Sequence, residues 1–120
     1  MGKWIILYFY PRDNTPSCSR EACSFRDNLS KLQEIAVTLG VSSQNLESHQ
    51  KFSNKFKLNF PILVDKEKTI INLYGADGIL MPKRVTFLIN PKGIVKKIYQ
   101  NIKVDHHLQE IIKNLQEFTN

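Results

Sequence analysis

The sequence predicts an α/β domain with a central mixed β-sheet flanked by helices on both faces. Two observations carry that expectation. Short apolar runs (4–10, 35–41 and 84–89) alternate with stretches in which apolar residues recur at three- and four-residue spacing. The early runs are separated by whole helices, which implies parallel neighbours joined by right-handed crossovers, whereas 84–89 is separated from the following strand 94–99 only by the turn Asn90, Pro91, Lys92, Gly93, which implies an antiparallel hairpin at one edge.

At 120 residues, the chain is expected to form a single domain, 1–120, large enough to bury its own core. Two cysteines are too few for a secreted disulfide scaffold. No apolar run reaches the ~18 residues of a membrane span. Met1, Gly2, Lys3 and Trp4 lead straight into a strand and lack the features of a signal peptide. The expectation is therefore a cytoplasmic protein with no membrane partner. In that compartment a cysteine pair is more often reactive than structural. The net charge is +6, but the lysines are scattered and never interleave with aromatics, so a solvated basic surface is expected and no nucleic-acid partner. A monomer is expected.

Trp4 to Tyr10 is an apolar, aromatic and β-branched run, a central strand buried on both faces that ends at Pro11. Arg12 to Thr15 is a loop, with Thr15 placed as the N-cap of a helix and Pro16 as its first residue. Ala22, Phe25, Leu29, Leu32 and Ile35 give that helix one apolar face. Ile35 to Val41 reads as a second buried strand. Ser42 to Glu47 is a polar loop leading into a helix whose inner face holds Phe52 and Phe56. Phe60 to Val64 is a short apolar segment before an Asp65 cap. Ile70, Ile71, Leu73 and Tyr74 mark a short helix ended by Gly75. Ala76 to Lys83 is a loop, Arg84 to Ile89 a strand, Ile94 to Tyr99 its hairpin partner, and Leu108, Ile111, Ile112, Leu115 and Phe118 define a last amphipathic helix. A mixed sheet followed by a hairpin and a helix is the arrangement of a thioredoxin-like fold.

The only two cysteines are Cys18 and Cys23. Cys18 falls in the first turn of the first helix, where unpaired amides and the helix dipole favour the thiolate, the nucleophilic form. Arg12, Arg20 and Arg84 are candidate cations, and Thr15 a candidate donor, beside that sulfur. Such a collar suits attack on a peroxide O–O bond, because the departing oxygen needs donors aimed at it. The product, a sulfenic acid, is reversible if a second thiol condenses with it, and Cys23 is positioned in sequence to do so. On an ideal helix a five-residue separation puts the two Cα atoms about 8–9 Å apart. That exceeds the ~7 Å a disulfide allows, so a Cys18–Cys23 bond needs the first turns to unwind. Cys23 also has a plain reading as a packed core cysteine. The spacing is not Cys-x-x-Cys, which argues against a general disulfide oxidoreductase. Glu21 reads as a first-turn carboxylate favoured by the dipole, and His49 as a residue of the second helix that faces solvent or is satisfied locally. His106 and His107 match no common metal-ligand spacing, and adjacent helical residues point about 100° apart.

The segment from Tyr8 to Asp27, with Pro11, Thr15, Cys18 and Cys23 in this order, resembles the active-site segment of peroxiredoxins of the bacterioferritin-comigratory-protein, or peroxiredoxin Q, subfamily. Gly40 to Ser42, Glu47 to Phe52, Leu58 to Pro61 and Arg84 to Pro91 extend the match over nearly the whole chain. The resemblance implies that Cys18 is the peroxidatic cysteine and Cys23 the resolving one. Pro11 and Thr15 are then the residues that shield the sulfur and bind peroxide, and Arg84 the arginine that holds thiolate and peroxide oxygen. It implies reduction of hydrogen peroxide and organic hydroperoxides, thioredoxin or a similar dithiol as reductant, and no metal, haem or flavin cofactor. Ser17 stands where the family commonly has glycine. Similar members carry a further N-terminal hairpin before Gly2, so the resemblance implies a domain lacking that hairpin, with a sheet edge and part of the core uncovered. Two alternatives to the peroxidase remain at this point: a shortened, non-catalytic thioredoxin-fold binding module, and a disulfide oxidoreductase.

Overall fold

The computed structural model describes residues 2–32, 35–78 and 83–119. The elements run β1 (Trp4–Phe9), α1 (Pro16–Leu32), β2 (Ala36–Ser42), α2 (Leu46–Phe56), β3 (Ile62–Val64), α3 (Thr69–Leu73), β4 (Val85–Ile89), β5 (Val95–Tyr99) and α4 (Val104–Thr119). The expected order of strands and helices holds. The side chains of Leu29 and Leu32, and residues 79–82 of the expected loop 76–83, lie outside the described residues.

Among the described residues, five strands form one sheet in the order β3-β2-β1-β4-β5. β1 pairs parallel with β2, and β2 with β3, as the crossovers require. β4 lies antiparallel on the other side of β1 and forms the hairpin with β5, which is the edge. β1 is therefore central, and its alternate residues feed two cores. Ile6, Tyr8 and Tyr10 point toward α1, α4 and Phe52 of α2, while Leu7 and Phe9 point toward Ile71 of α3. Tyr8 stacks on Phe25 of α1 at 4.7 Å between ring centroids, and Tyr10 meets Phe52 at 6.1 Å. A Cβ on Gly40 would sit 3.0 Å from the Tyr8 ring, so any larger residue at this position of β2 would push the ring by a few tenths of an ångström.

The expectation of a fully buried second strand is corrected at one end. Val37 is exposed, whereas Val41 is buried. The reason is length: α3 has five residues and spans about 8 Å, enough to cover only part of its face of the sheet. The caps also differ in detail. Asn45 caps α2 by accepting from the Ser48 amide at 2.8 Å. Lys68 occupies the N-cap position of α3, and the Asp65 carboxylate caps that helix from outside by accepting from the Ile71 amide at 2.7 Å. Among the described residues no helix is long and apolar enough to cross a membrane.

Candidate active site

The site forms where the carboxyl end of β1 feeds the loop 11–15 and the first turn of α1, the rim of a sheet on which ligands of α/β folds generally bind. The Thr15 carbonyl accepts the first helical hydrogen bond, from the Ser19 amide at 2.8 Å, which places Thr15 at the N-cap as expected. Its hydroxyl does not cap, however, and instead donates to the Arg12 carbonyl at 3.4 Å. Asn14 just before it adopts a left-handed conformation, φ 61°, and this lets the chain turn from loop into helix. Pro11 follows the strand, and its carbonyl accepts from the Ser42 hydroxyl at 3.4 Å.

Cys18 sits in the first turn of α1 and is 1% exposed. Because β4 lies beside β1, Arg84 at the start of β4 reaches over this turn. Its Nη2 donates to the Cys18 sulfur at 3.3 Å, and its Nη1 donates to Glu21 Oε1 at 2.6 Å. Of the three candidate cations, then, Arg84 meets the sulfur. Arg12 is exposed, and Arg20 pairs instead with Asp105 of α4 at 3.1 Å. Cys23, one turn further along α1, is partly exposed, and both cysteines are free thiols.

Glu21 was expected to be a first-turn carboxylate favoured by the dipole, and the structure corrects this. It is 1% exposed and paired with Arg84, and its second oxygen, Oε2, has no hydrogen-bond partner. Burial pushes its pKa up to about 7, against the pull of Arg84. Burial alone would lower the Arg84 pKa, but Glu21 and Cys18 outweigh it and hold the guanidinium charged. One cation thus serves a buried carboxyl and a buried sulfur together.

Beneath Arg84, Thr86 Oγ1 lies 2.8 Å from Nε2 of His107 on α4. His107 is buried, and its pKa is depressed to about 4, by desolvation and then by Arg84, so the ring is neutral near pH 7. Arg84 also lines a cavity of about 460 Å³ with Gly75, Lys83, Val85, Gln100 and Asn101.

His49 also differs from expectation. It is 3% exposed and faces inward, with Nδ1 at 2.6 Å from the Asp13 carboxylate and Nε2 at 3.1 Å from the Leu63 carbonyl. The sequence contained a signal for both missed residues. Glu21 falls at i+3 from Cys18 and His49 at i−3 from Phe52, so each lies on the apolar stripe of its helix.

Residues 1–98 match the family model described as the AhpC/TSA family. The chain is 40% identical over 126 residues to a putative peroxiredoxin bcp of Coxiella burnetii, covering 95% of this chain and 82% of that relative. It is 37% identical to the peroxiredoxin Bcp of Bacillus subtilis, over 98% of this chain and 81% of the relative. The crystal structure of a Cys-to-Ser mutant of PrxQ from Xylella fastidiosa superposes with a TM-score of 0.96 at 30% identity, covering 100% of this chain and 80% of that one. A bacterioferritin comigratory protein of Xanthomonas campestris, whose trapped intermediate/ligand complex was used to study alkyl peroxide reduction, superposes with a TM-score of 0.93 at 29% identity, covering 97% of this chain and 79% of that one.

Proposed function

We propose that this chain, which belongs to the AhpC/TSA family and within it to the peroxiredoxins of the Bcp and Q type, reduces hydrogen peroxide and organic hydroperoxides at Cys18 and is recycled through Cys23 by thioredoxin or a similar dithiol. The observation that carries this reading is the Cys18–Arg84–Glu21 array: a buried sulfur 3.3 Å from a guanidinium that is itself fixed by a buried carboxyl. The alkyl peroxide reduction studied in the Xanthomonas campestris protein supports the organic substrates.

In the first step the Cys18 thiolate attacks one peroxide oxygen. A sulfur–oxygen bond forms, the O–O bond breaks, and the departing oxygen leaves as an alcohol or water once it has taken a proton. Arg84 faces both the sulfur and the incoming oxygen, and it offsets the charge that develops on the leaving oxygen. Thr15, whose hydroxyl has only a long bond to the Arg12 carbonyl, turns to donate to the peroxide, and Pro11 shields the sulfur from water. Cys18 is left as a sulfenic acid.

In the second step Cys23 gives up its proton and attacks the sulfenic sulfur; the S–S bond forms, the S–O bond breaks, and the hydroxyl leaves as water with that proton. With α1 continuous from Pro16 to Leu32 the two Cα atoms lie about 8–9 Å apart on ideal helix geometry. The first turns must therefore open before the bond closes. An external dithiol then returns both sulfurs to thiols, taking up the oxidation.

Peroxide consumption coupled to thioredoxin and its reductase tests the scheme. The expected result is turnover that Cys18→Ser abolishes, and a Cys23→Ser variant that consumes one equivalent of peroxide and then stalls. A wild-type chain that consumes no peroxide would leave the binding-module alternative standing. Reduction of insulin disulfides without peroxide would indicate a disulfide oxidoreductase.

A further inference from the structure

We propose that Asp13 and His49 are positioning residues for the peroxide step: their buried pair clamps the loop 11–14 to α2, so that Pro11 stays fixed and Thr15, next to the clamp, is returned to one place as the first turns of α1 open and close. The inference rests on the peroxidase reading of Cys18.

Asp13 is a buried carboxylate whose charge is met entirely by short hydrogen bonds. It accepts from the Tyr10 hydroxyl at 2.5 Å, the Ser48 hydroxyl at 2.7 Å and His49 Nδ1 at 2.6 Å. Burial pushes its pKa up, but these three bonds outweigh burial and hold it below the usual carboxylate range. The other ring nitrogen of His49 faces the Leu63 carbonyl, which can only accept, so Nε2 carries a hydrogen, and one further proton bridges Nδ1 and the carboxylate. One carboxylate thereby joins the end of β1, the first turn of α2 and, through the ring, β3. A buried pair of this kind is costly to break from one side, because the survivor is left desolvated and unpaired.

The same loop is held to the same neighbours at other points. The Asp13 amide donates to the Gln44 side chain, Lys55 donates to Asn14 Oδ1 at 3.0 Å, and the Ser42 hydroxyl reaches the Pro11 carbonyl. A second anchor lies further along α1, where Arg26 Nη1 donates to the Phe56 carbonyl at the end of α2 at 2.6 Å. Between the two anchors run residues 15–25, which contain both cysteines. Among the described residues, the side-chain bonds that hold the turns that must open are those of Cys18 and Glu21 to Arg84 and of Arg20 to Asp105, and none of them reaches α2. The clamp thus sets where opening stops, and it returns Thr15 to the same place when the helix reforms. Sub-ångström placement of such groups decides the rate of a displacement step.

The test has two arms. Hydrogen exchange on the reduced protein reads the clamp independently of activity: the Asp13 amide is expected to exchange at least about tenfold more slowly than the amides of residues 17–22, and His49→Leu is expected to remove that protection. Equal exchange of the two segments, or protection that survives His49→Leu, overturns the proposal. The kinetic arm compares the single-turnover rate of Cys18 oxidation by hydrogen peroxide with the rate of its alkylation by iodoacetamide, which needs the sulfur but not the peroxide pocket. His49→Leu is expected to slow oxidation by about tenfold or more without slowing alkylation. His49→Asn, whose amide can donate to Asp13 in place of Nδ1, is expected to recover most of the loss. Oxidation unchanged in His49→Leu, or oxidation and alkylation falling together, overturns the proposal. Should His49→Leu fail to fold, Asp13→Asn, which keeps the shape and removes the charge, takes its place with the same expectations. A wild-type protein that shows protection at Asp13 but oxidises no faster than a free thiol would instead overturn the peroxidase reading and leave the clamp without a reaction to position.

Discussion

The two halves of the active-site segment are held by different physics. Residues 10–14 are tied to α2, and through it to β3, by a buried carboxylate, a buried imidazole and two short hydroxyl bonds. The first turns of α1 depend on Arg84 and on one pair, Arg20–Asp105, whose side chains are 54% and 69% exposed. Buried bonds of this kind are lost all together or not at all, whereas exposed pairs contribute little and break easily. The difference shows how one segment can be rigid enough to orient a peroxide and loose enough to bring two distant sulfurs together: the requirements fall on opposite sides of Asn14.

The largest expected effect comes from breaking the link that the opening half shares with the core. Arg84→Leu removes the donor to Cys18 and leaves Glu21 buried without a cation. Peroxide reactivity is expected to fall by about 10²-fold or more, as when a single charge-stabilising donor is lost. Stability is expected to drop by about 3–5 kcal/mol. Adding Glu21→Leu should restore most of the stability and none of the reactivity, read by denaturant unfolding and by single-turnover oxidation. If the double variant regains neither, the carboxyl is not what makes the single variant unstable, and the view of Arg84 as one cation serving two buried groups is wrong.

How much of this could be read from the sequence follows the range of the interactions. The run Thr15, Pro16, Ser17, Cys18 announces a helix start with a thiol in its first turn because caps and proline act locally. β1 and the β4–β5 hairpin are legible for the same reason. What no local pattern states is that β4 docks against β1 rather than at an edge, and that docking alone brings Arg84 to Cys18 across 66 positions. Among the candidate cations Arg12, Arg20 and Arg84, it is the resemblance to a family motif that singles out Arg84, not its neighbours in sequence. Glu21 and His49 lay within reach, since charged or titratable residues on an apolar stripe ask for a buried partner. The identity of those partners, Arg84 and Asp13, is a tertiary fact. Thr15 illustrates the converse, because its backbone position was legible and its hydroxyl direction was not.

A pH series sharpens the comparison by testing the support beneath Arg84. His107 has a folded pKa near 4 against an ordinary value of 6.5. Its contribution to stability is therefore complete above pH 6.5 and is lost as pH falls toward 4. Glu21 has a folded pKa near 7 against an ordinary 4.5, so its contribution is complete below pH 4.5 and is lost as pH rises toward 7. Between pH 4.5 and 6.5 the two slopes oppose each other. Each has a limit of about 1.4 kcal/mol per pH unit. The two groups together are expected to leave unfolding free energy nearly flat across that window in the wild type. Glu21→Gln should expose a rise with pH and His107→Asn a fall, each by up to ~3 kcal/mol across the full span of its shift. Slopes of the same sign in both variants would contradict the burial assigned to one of the two groups. Asp13, with its lowered pKa, contributes fully and constantly across this window, and its contribution is lost only as pH falls below the ordinary carboxylate range.

The smallest expected effect on stability is also the most direct probe of the opening half. Arg20→Ala removes an ion pair that holds the first turn of α1 against α4 through the Asp105 carboxylate. Exposed pairs contribute less than about 1 kcal/mol, so global unfolding should shift by that much or less. Opening of the first turns is a smaller event in which the pair is one of few bonds lost, and the same fraction of a kcal/mol then acts on a much smaller barrier. Formation of the Cys18–Cys23 bond after a single peroxide equivalent should accelerate by up to about fivefold, with the preceding oxidation step unchanged. Mass spectrometry of quenched samples resolves the sulfenic acid from the disulfide and gives both rates. If disulfide formation does not accelerate while unfolding shifts as expected, the turn that opens is not the one Arg20 holds. The opening would then stop short of residue 20, on the Cys18 side of the Arg20–Asp105 pair.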